Sequence, residues 1–160
     1  MKRFVFALDK VLDYKGQVEN SLRSEYAQKM EKVKKQEKYI DSLNAEYAGC
    51  RNEFEARKKQ GCTINLMVSY DGYINSLRKQ IEEEKVVLAQ LRADAEKKRS
   101  EMVAAKVETS SFEKLKEKKQ KEYEKEEQKK EEQFIDEFVS NCSSAVRKEA
   151  AALAGNSLPG

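Results

Sequence analysis

The sequence predicts an all-α protein, two long helices folded into an antiparallel coiled-coil hairpin, with the second helix longer than the first. Three observations predict it. Apolar residues recur every three or four positions through the first third of the chain, a similar stripe returns after it, and one short glycine-bearing stretch separates the two. A spacing near ~3.5 residues gives a helix a narrow sticky seam that it cannot bury alone. Composition agrees: of 160 residues 38% are charged, with one Pro, six Gly and no Trp, the make-up of long helices rather than of a packed globule.

The first helix is expected over about 3–59. Its seam is Leu12, Leu22, Tyr26, Val33, Ile40, Leu43, Tyr47, Cys50 and Phe54, with Val5 and Leu8 continuing the register upstream. Gly16 and Gly49 lie inside it and each costs roughly 1 kcal/mol relative to Ala, which softens a helix without breaking it. The turn is expected at about 60–65. Lys58 and Lys59 suit the negative end of a helix dipole, Gly61 can take the left-handed cap, and Thr63 or Asn65 can cap the second helix. A connection this short makes its two helices antiparallel neighbours.

The second helix is expected over about 66–150, although the turn-like pair Asp71-Gly72 allows a start as late as residue 73. Its register is Ile74, Leu77, Ile81, Glu84, Leu88, Leu91, Ala95, Lys98, Met102, Ala105, Thr109 and Phe112. Folding back about the turn pairs residues whose numbers sum to about 124. Leu43 then faces Ile81, Tyr47 faces Leu77, Leu22 faces Met102 and Leu12 faces Phe112. Two stripes and one turn, read independently, agree on the same register.

Beyond that match, Glu113 to Glu132 holds eight Lys and eight Glu with only Leu115 and Tyr123 apolar. Such a stretch stays helical through ion pairs three and four apart but has little to bury. Next come Phe134, Ile135, Phe138, Val139, Val146 and Leu153, with no internal partner left but the first few residues of the chain. Exposed aromatic surface of this kind marks a place where another protein binds. One domain is expected over 1–153, with a fraying tail at 154–160.

Several function classes are excluded. Lys and Arg number 32 against 29 Asp and Glu, a net charge of +3, too balanced for a nucleic-acid partner. Cys50, Cys62 and Cys142 are odd in number and contain no Cys-x-x-Cys pair, which argues against disulfides or zinc and for a reducing cytoplasm. The apolar run after Met1-Lys2-Arg3 ends at Asp9, too short for a signal segment, a membrane span or lipid insertion. There is no histidine, no phosphate-binding loop and no nucleophile with a base beside it, so neither catalysis nor a cofactor is expected. The function is binding. A rotary-ATPase central stalk would share the helices, but F-type versions carry an α/β domain for which this turn has no room. A homodimeric scaffold would carry one unbroken seam, against which Gly61 and its polar neighbours argue. A basic-zipper factor would need an Arg and Lys cluster before its heptads.

Three stretches resemble the flagellar export FliJ family. The opening Phe4-Val5-Phe6-Ala7-Leu8-Asp9-Lys10-Val11-Leu12-Asp13-Tyr14-Lys15 is similar to the family's Phe-x-Phe-x-Leu-x-x-Val-Leu-x-Tyr-Lys pattern. Tyr70 to Leu91, with Leu77-Arg78-Lys79-Gln80-Ile81, is similar to its second-helix start. Glu127-Gln128-Lys129-Lys130 through Asp136-Glu137-Phe138 is similar to its closing Glu-x-x-x-Asp-Glu-Phe signature. Together they cover about residues 3–142. The resemblance implies a cytoplasmic component of the flagellar type III export apparatus, monomeric alone, seated peripherally at the inner face of the membrane and serving motility and chemotaxis. It implies binding to a FliI-like export ATPase hexamer, whose assembly it promotes, to the cytoplasmic domain of a FlhA-like export gate, and to export chaperones. The gate contact it implies falls on Tyr73, Leu77, Gln80 and Glu84. The first two keep the expected apolar character and the last two depart from it. Leu77 divides between that patch and the hairpin core. The ATPase contact it implies joins Lys2, Arg3 and Phe4 to the segment of Phe134, Asp136, Glu137 and Phe138.

Overall fold

The computed structural model describes residues 3–155. Among them there are two α-helices and no strand: α1, Asp9–Gln60, and α2, Ile64–Gly155. The chain divides into two compact units, Asp13–Ser110 and the pair of segments Met1–Leu12 and Ser111–Gly160.

In the unit Asp13–Ser110 the helices run antiparallel and bury the expected seam. Val33, Ile40 and Leu43 of α1 and Ile74, Leu77, Ile81, Ala95 and Thr109 of α2 are buried. Glu19, Leu22, Tyr26, Tyr47, Cys50, Leu88, Leu91, Lys98, Met102 and Ala105, all at seam positions, are half-buried. Leu43, Leu77 and Ile81 form a cluster flanked by Tyr47 and Cys50. Thr109, the one buried polar group among the described residues, donates its hydroxyl to the Ala105 carbonyl at 3.0 Å, so the seam holds no unsatisfied donor. No described side chain is fully enclosed, because two helices alone leave each seam residue open at its edges.

Polar residues beside the seam bridge the helices. Lys15 pairs with Glu108 at 2.6 Å, Lys98 with Glu25 at 2.9 Å, Arg92 with Glu37 at 2.6 Å and Lys29 with Asp94 at 4.0 Å. All lie at or within a few of the facing sum. Each is at least partly open to water, where an ion pair adds little to stability.

The turn follows from three residues. Gly61 has φ of 87°, a conformation that costs a side-chain-bearing residue roughly 1–2 kcal/mol, and its N–H donates to the Lys58 carbonyl at 3.3 Å. Thr63 caps α2, its Oγ1 accepting from the Leu66 N–H at 3.4 Å. Phe54 stacks on Tyr70 across the turn, centroids 5.2 Å apart, with the Lys58 ammonium over the Phe54 ring at 4.1 Å. With the cap already made at Thr63, α2 continues through Asp71-Gly72, where Asn75 donates to Asp71 at 3.2 Å.

In the other unit the structure departs from the extended register. α1 starts at Asp9, and residues 3–8 are not helical. The helix spacing assigned to Val5 and Leu8 therefore does not apply; Val5 is 79% exposed, while Phe6 is 6% exposed and Phe4 half-buried. Residues 3–6 carry no regular secondary structure and lead into α1 through a turn in which the Asp9 N–H donates to the Phe6 carbonyl at 3.1 Å, and the side chains covered there are Phe4 and Phe6. Phe4 packs on Tyr123 of α2 with centroids 5.7 Å apart, and Asp9 pairs with Lys116 at 2.6 Å.

Candidate functional site

The side stripe on early α2 resolves into two kinds of residue. Leu77 is 4% exposed and belongs to the cluster with Leu43 and Ile81. It is a core residue: the spacing that places it on the stripe also places it on the seam. Tyr73 is 47% exposed and anchored at its tip, its hydroxyl donating to the Glu46 carboxylate. That carboxylate, with partial desolvation, pushes the Tyr73 phenol above its ordinary pKa, so the hydroxyl stays protonated. Gln80 and Glu84 are half-buried and tied across the hairpin, Gln80 donating to the Tyr39 hydroxyl at 2.9 Å and Gln36 donating to the Glu84 carboxylate. Tyr39 is itself 42% exposed. The outward surface is thus two tyrosines and a held amide, with Leu77 beneath.

Tyr39, Glu46 and Gln36 are not singled out by the sequence. The signal lies in the facing rule, since polar residues flanking the seam meet a few positions away from the sum that pairs the seam residues themselves.

The second surface is the distal part of α2. Phe134 is 70% and Phe138 61% exposed, with Ile135 and Val139 equally open. Asp136 and Glu137 are exposed on the same turns. Phe4, expected near this segment, packs instead on Tyr123, which precedes Phe138 by roughly 22 Å of helix at ~1.5 Å per residue. Arg3 is exposed, and Lys2 lies outside the described residues. Phe4 therefore does not lie beside Phe138.

Among the described residues no group of His, Cys, Asp and Glu could hold a metal, and no helix is long and apolar enough to cross a membrane. Cys50 is a half-buried seam residue whose thiol is pushed up by desolvation and by the nearby Glu53 and Glu46, which disfavours the thiolate. An open groove of about 520 Å³ beside Tyr26, Met30, Val33, Ala93 and Ala95 marks where the small residues of α2 leave the seam thinly covered. The strongest electrostatic feature is structural: Glu101 and Glu25 together hold the Lys98 ammonium well above the usual lysine range.

The family model for the flagellar FliJ protein matches residues 4–148. The chain belongs to the FliJ family. It is accordingly a type III export component, of a family that is not catalytic. Among solved structures, a YscO homolog from Chlamydia trachomatis superposes on this FliJ-family chain with a TM-score of 0.66 at 19% identity, over 94% of this chain and 99% of that one; the fold is shared. A search of curated proteins returns no match.

Proposed function

We propose that this FliJ-family chain is a cytoplasmic adaptor that works at the inner face of the membrane, beneath the flagellar basal body. It binds the export ATPase hexamer and promotes its assembly, links that ATPase to the export gate and carries export chaperones. The observation that supports this most is the row of Phe134, Ile135, Phe138 and Val139, large apolar side chains close together on α2 and each more than half open to solvent. Burying a large apolar side chain contributes about 1.5–3 kcal/mol, so this row is the natural anchor for a protein partner.

The ATPase contact is assigned to Phe134, Asp136, Glu137 and Phe138, with Lys2, Arg3 and Phe4 adding to it from the chain start. The gate contact is assigned to Tyr73, Gln80 and Glu84, with Leu77 holding Tyr73's turn of helix in place from behind. Pull-down with the export ATPase tests the first assignment: Phe134→Ala with Phe138→Ala abolishes capture while circular dichroism shows the helix content unchanged. Retained capture refutes it. Tyr73→Ala is expected to weaken capture of the gate's cytoplasmic domain and to leave ATPase capture intact.

A further inference from the structure

The Lys- and Glu-rich stretch of α2 is sorted rather than mixed. Lys114, Lys118, Lys121, Lys125 and Lys129 succeed one another at intervals of three or four residues and are all exposed. At ~100° per residue they occupy roughly 80° of arc. That arc lies opposite the half-buried Lys116, Tyr123 and Glu127. No carboxylate interrupts the row. Glu117 and Glu124 flank it on one side, Glu122 and Glu126 on the other. Of the two that line the shallow hollow between the lysines, Glu117 is paired with Lys121 and Glu122 with Lys119. Among the described residues Lys114, Lys118, Lys125 and Lys129 make no ion pair.

The row sets like charges three and four apart, as Lys114–Lys118, Lys118–Lys121, Lys121–Lys125 and Lys125–Lys129, and the glutamates that offset them within the helix stand on its flanks, as Glu117 does for Lys121. A straight file of ammonium groups roughly 22 Å long at ~1.5 Å per residue is also narrow. A bilayer surface or a nucleic-acid duplex is broad and would press on the flanking glutamates as well. No apolar side chain within the row is placed to enter a lipid surface. A second helix is the right width, and its flanking bases could meet Glu117, Glu124, Glu122 and Glu126.

From this we infer that the lysine row of α2 is a docking strip for an acidic helical face of a partner protein, one carrying Asp or Glu at matching intervals of three and four. The strip is separate from the apolar row at 134–139 and from the tyrosines of early α2, and goes beyond the adaptor reading.

The test uses the full chain and a helical peptide with Glu at i, i+4, i+7, i+11 and i+15 between basic flanks, with a scrambled peptide of the same composition as comparison. Fluorescence anisotropy at low salt should show binding that weakens steeply with added salt. A variant with Lys114, Lys118, Lys125 and Lys129 all changed to Gln should bind at least tenfold more weakly. The same four positions changed to Arg should restore binding. An equal charge change at exposed sites elsewhere (Lys10, Lys32, Lys34 and Lys38 to Gln) should leave it intact. Circular dichroism should show the Gln variant with the parent's helix content, which separates lost docking from lost folding. Four outcomes overturn the proposal: no binding by the parent chain, equal loss in both Gln variants, equal binding of the scrambled peptide, or preferential capture of phosphatidylglycerol vesicles or duplex DNA by the same lysines.

Discussion

Truncating Leu77 and truncating Tyr73 should have very unequal effects on stability, although the two residues are one helical turn apart. Leu77 is 4% exposed and packs with Leu43 and Ile81. Leu→Ala in a core costs about 2–5 kcal/mol, less where the surroundings can close up. The seam here is a single layer open along both edges, so Leu77→Ala is expected near the lower end, about 2–3 kcal/mol. For a unit of this size each kcal/mol moves the midpoint by about 4–8 °C, giving a drop of roughly 10–20 °C. Tyr73 is 47% exposed, and its hydroxyl makes one surface hydrogen bond to Glu46. Losing that bond costs about 0.5–1.5 kcal/mol, and Tyr73→Ala should lower the midpoint by only a few degrees. Thermal melts followed at 222 nm distinguish the two directly. Unchanged melting in Leu77→Ala, or an equal fall in both variants, would refute the placement of Leu77 in the core.

Further expectations rest on the same geometry. Gly61→Ala should lower stability by about 1–2 kcal/mol, because its φ of 87° disfavours any side chain. Gly72→Ala, in mid-helix with open space around the added carbon, should raise it by about 0.5–1 kcal/mol; denaturant melts report both signs. Cysteines at Leu43 and Ile81, in a chain whose native cysteines are changed to Ser, should oxidise within one chain, and a covalent dimer on a non-reducing gel would contradict the hairpin. The Lys98 hydrogen bond holds the Glu101 carboxyl below its ordinary 4.5. Its contribution is thus complete above that value and lost as pH falls through the depressed one. Glu101→Gln should flatten the acid limb of the melting profile. Lys98, raised above its ordinary 10.5, contributes fully below that value and loses its contribution as pH rises beyond its raised pKa.

Most of the fold can be read from the sequence because one period governs it. Each register position assigned to α2 from Ile74 to Phe112 is buried or half-buried, and Gly61 and Thr63 end and restart the helices where their backbone chemistry requires. The same single period explains what cannot be read. A stripe spaced three and four apart does not separate a seam residue from a surface residue beside it, so Leu77 stands on both until its neighbours are known. At the chain start a helical period extends over residues that are not helical, which selects Val5 where the Phe-x-Phe alternation selects Phe6. Phe4 meets Tyr123, close to the position of about 120 that the facing sum gives it and well short of Phe138, so the register governs where the chain start lies and the motif resemblance does not. The polar ties of Tyr73, Gln80 and Glu84 lie off the facing sum, which apolar patterning does not address.

Because the seam in Asp13–Ser110 is one side chain thick, a given layer touches only the layers next to it, and nothing distant registers its presence. Length there is consequently adjustable in whole heptads. Excising residues 26–32 together with their mates 92–98 should leave Val33 against Leu91 as before and leave the turn, its cap and the ties of Gln80 to Tyr39 and of Glu84 to Gln36 undisturbed. Removing either block alone would throw every pairing beyond it out of step. A lineage can therefore retune the distance between the turn and Ser110 by paired deletions, without redesigning either end.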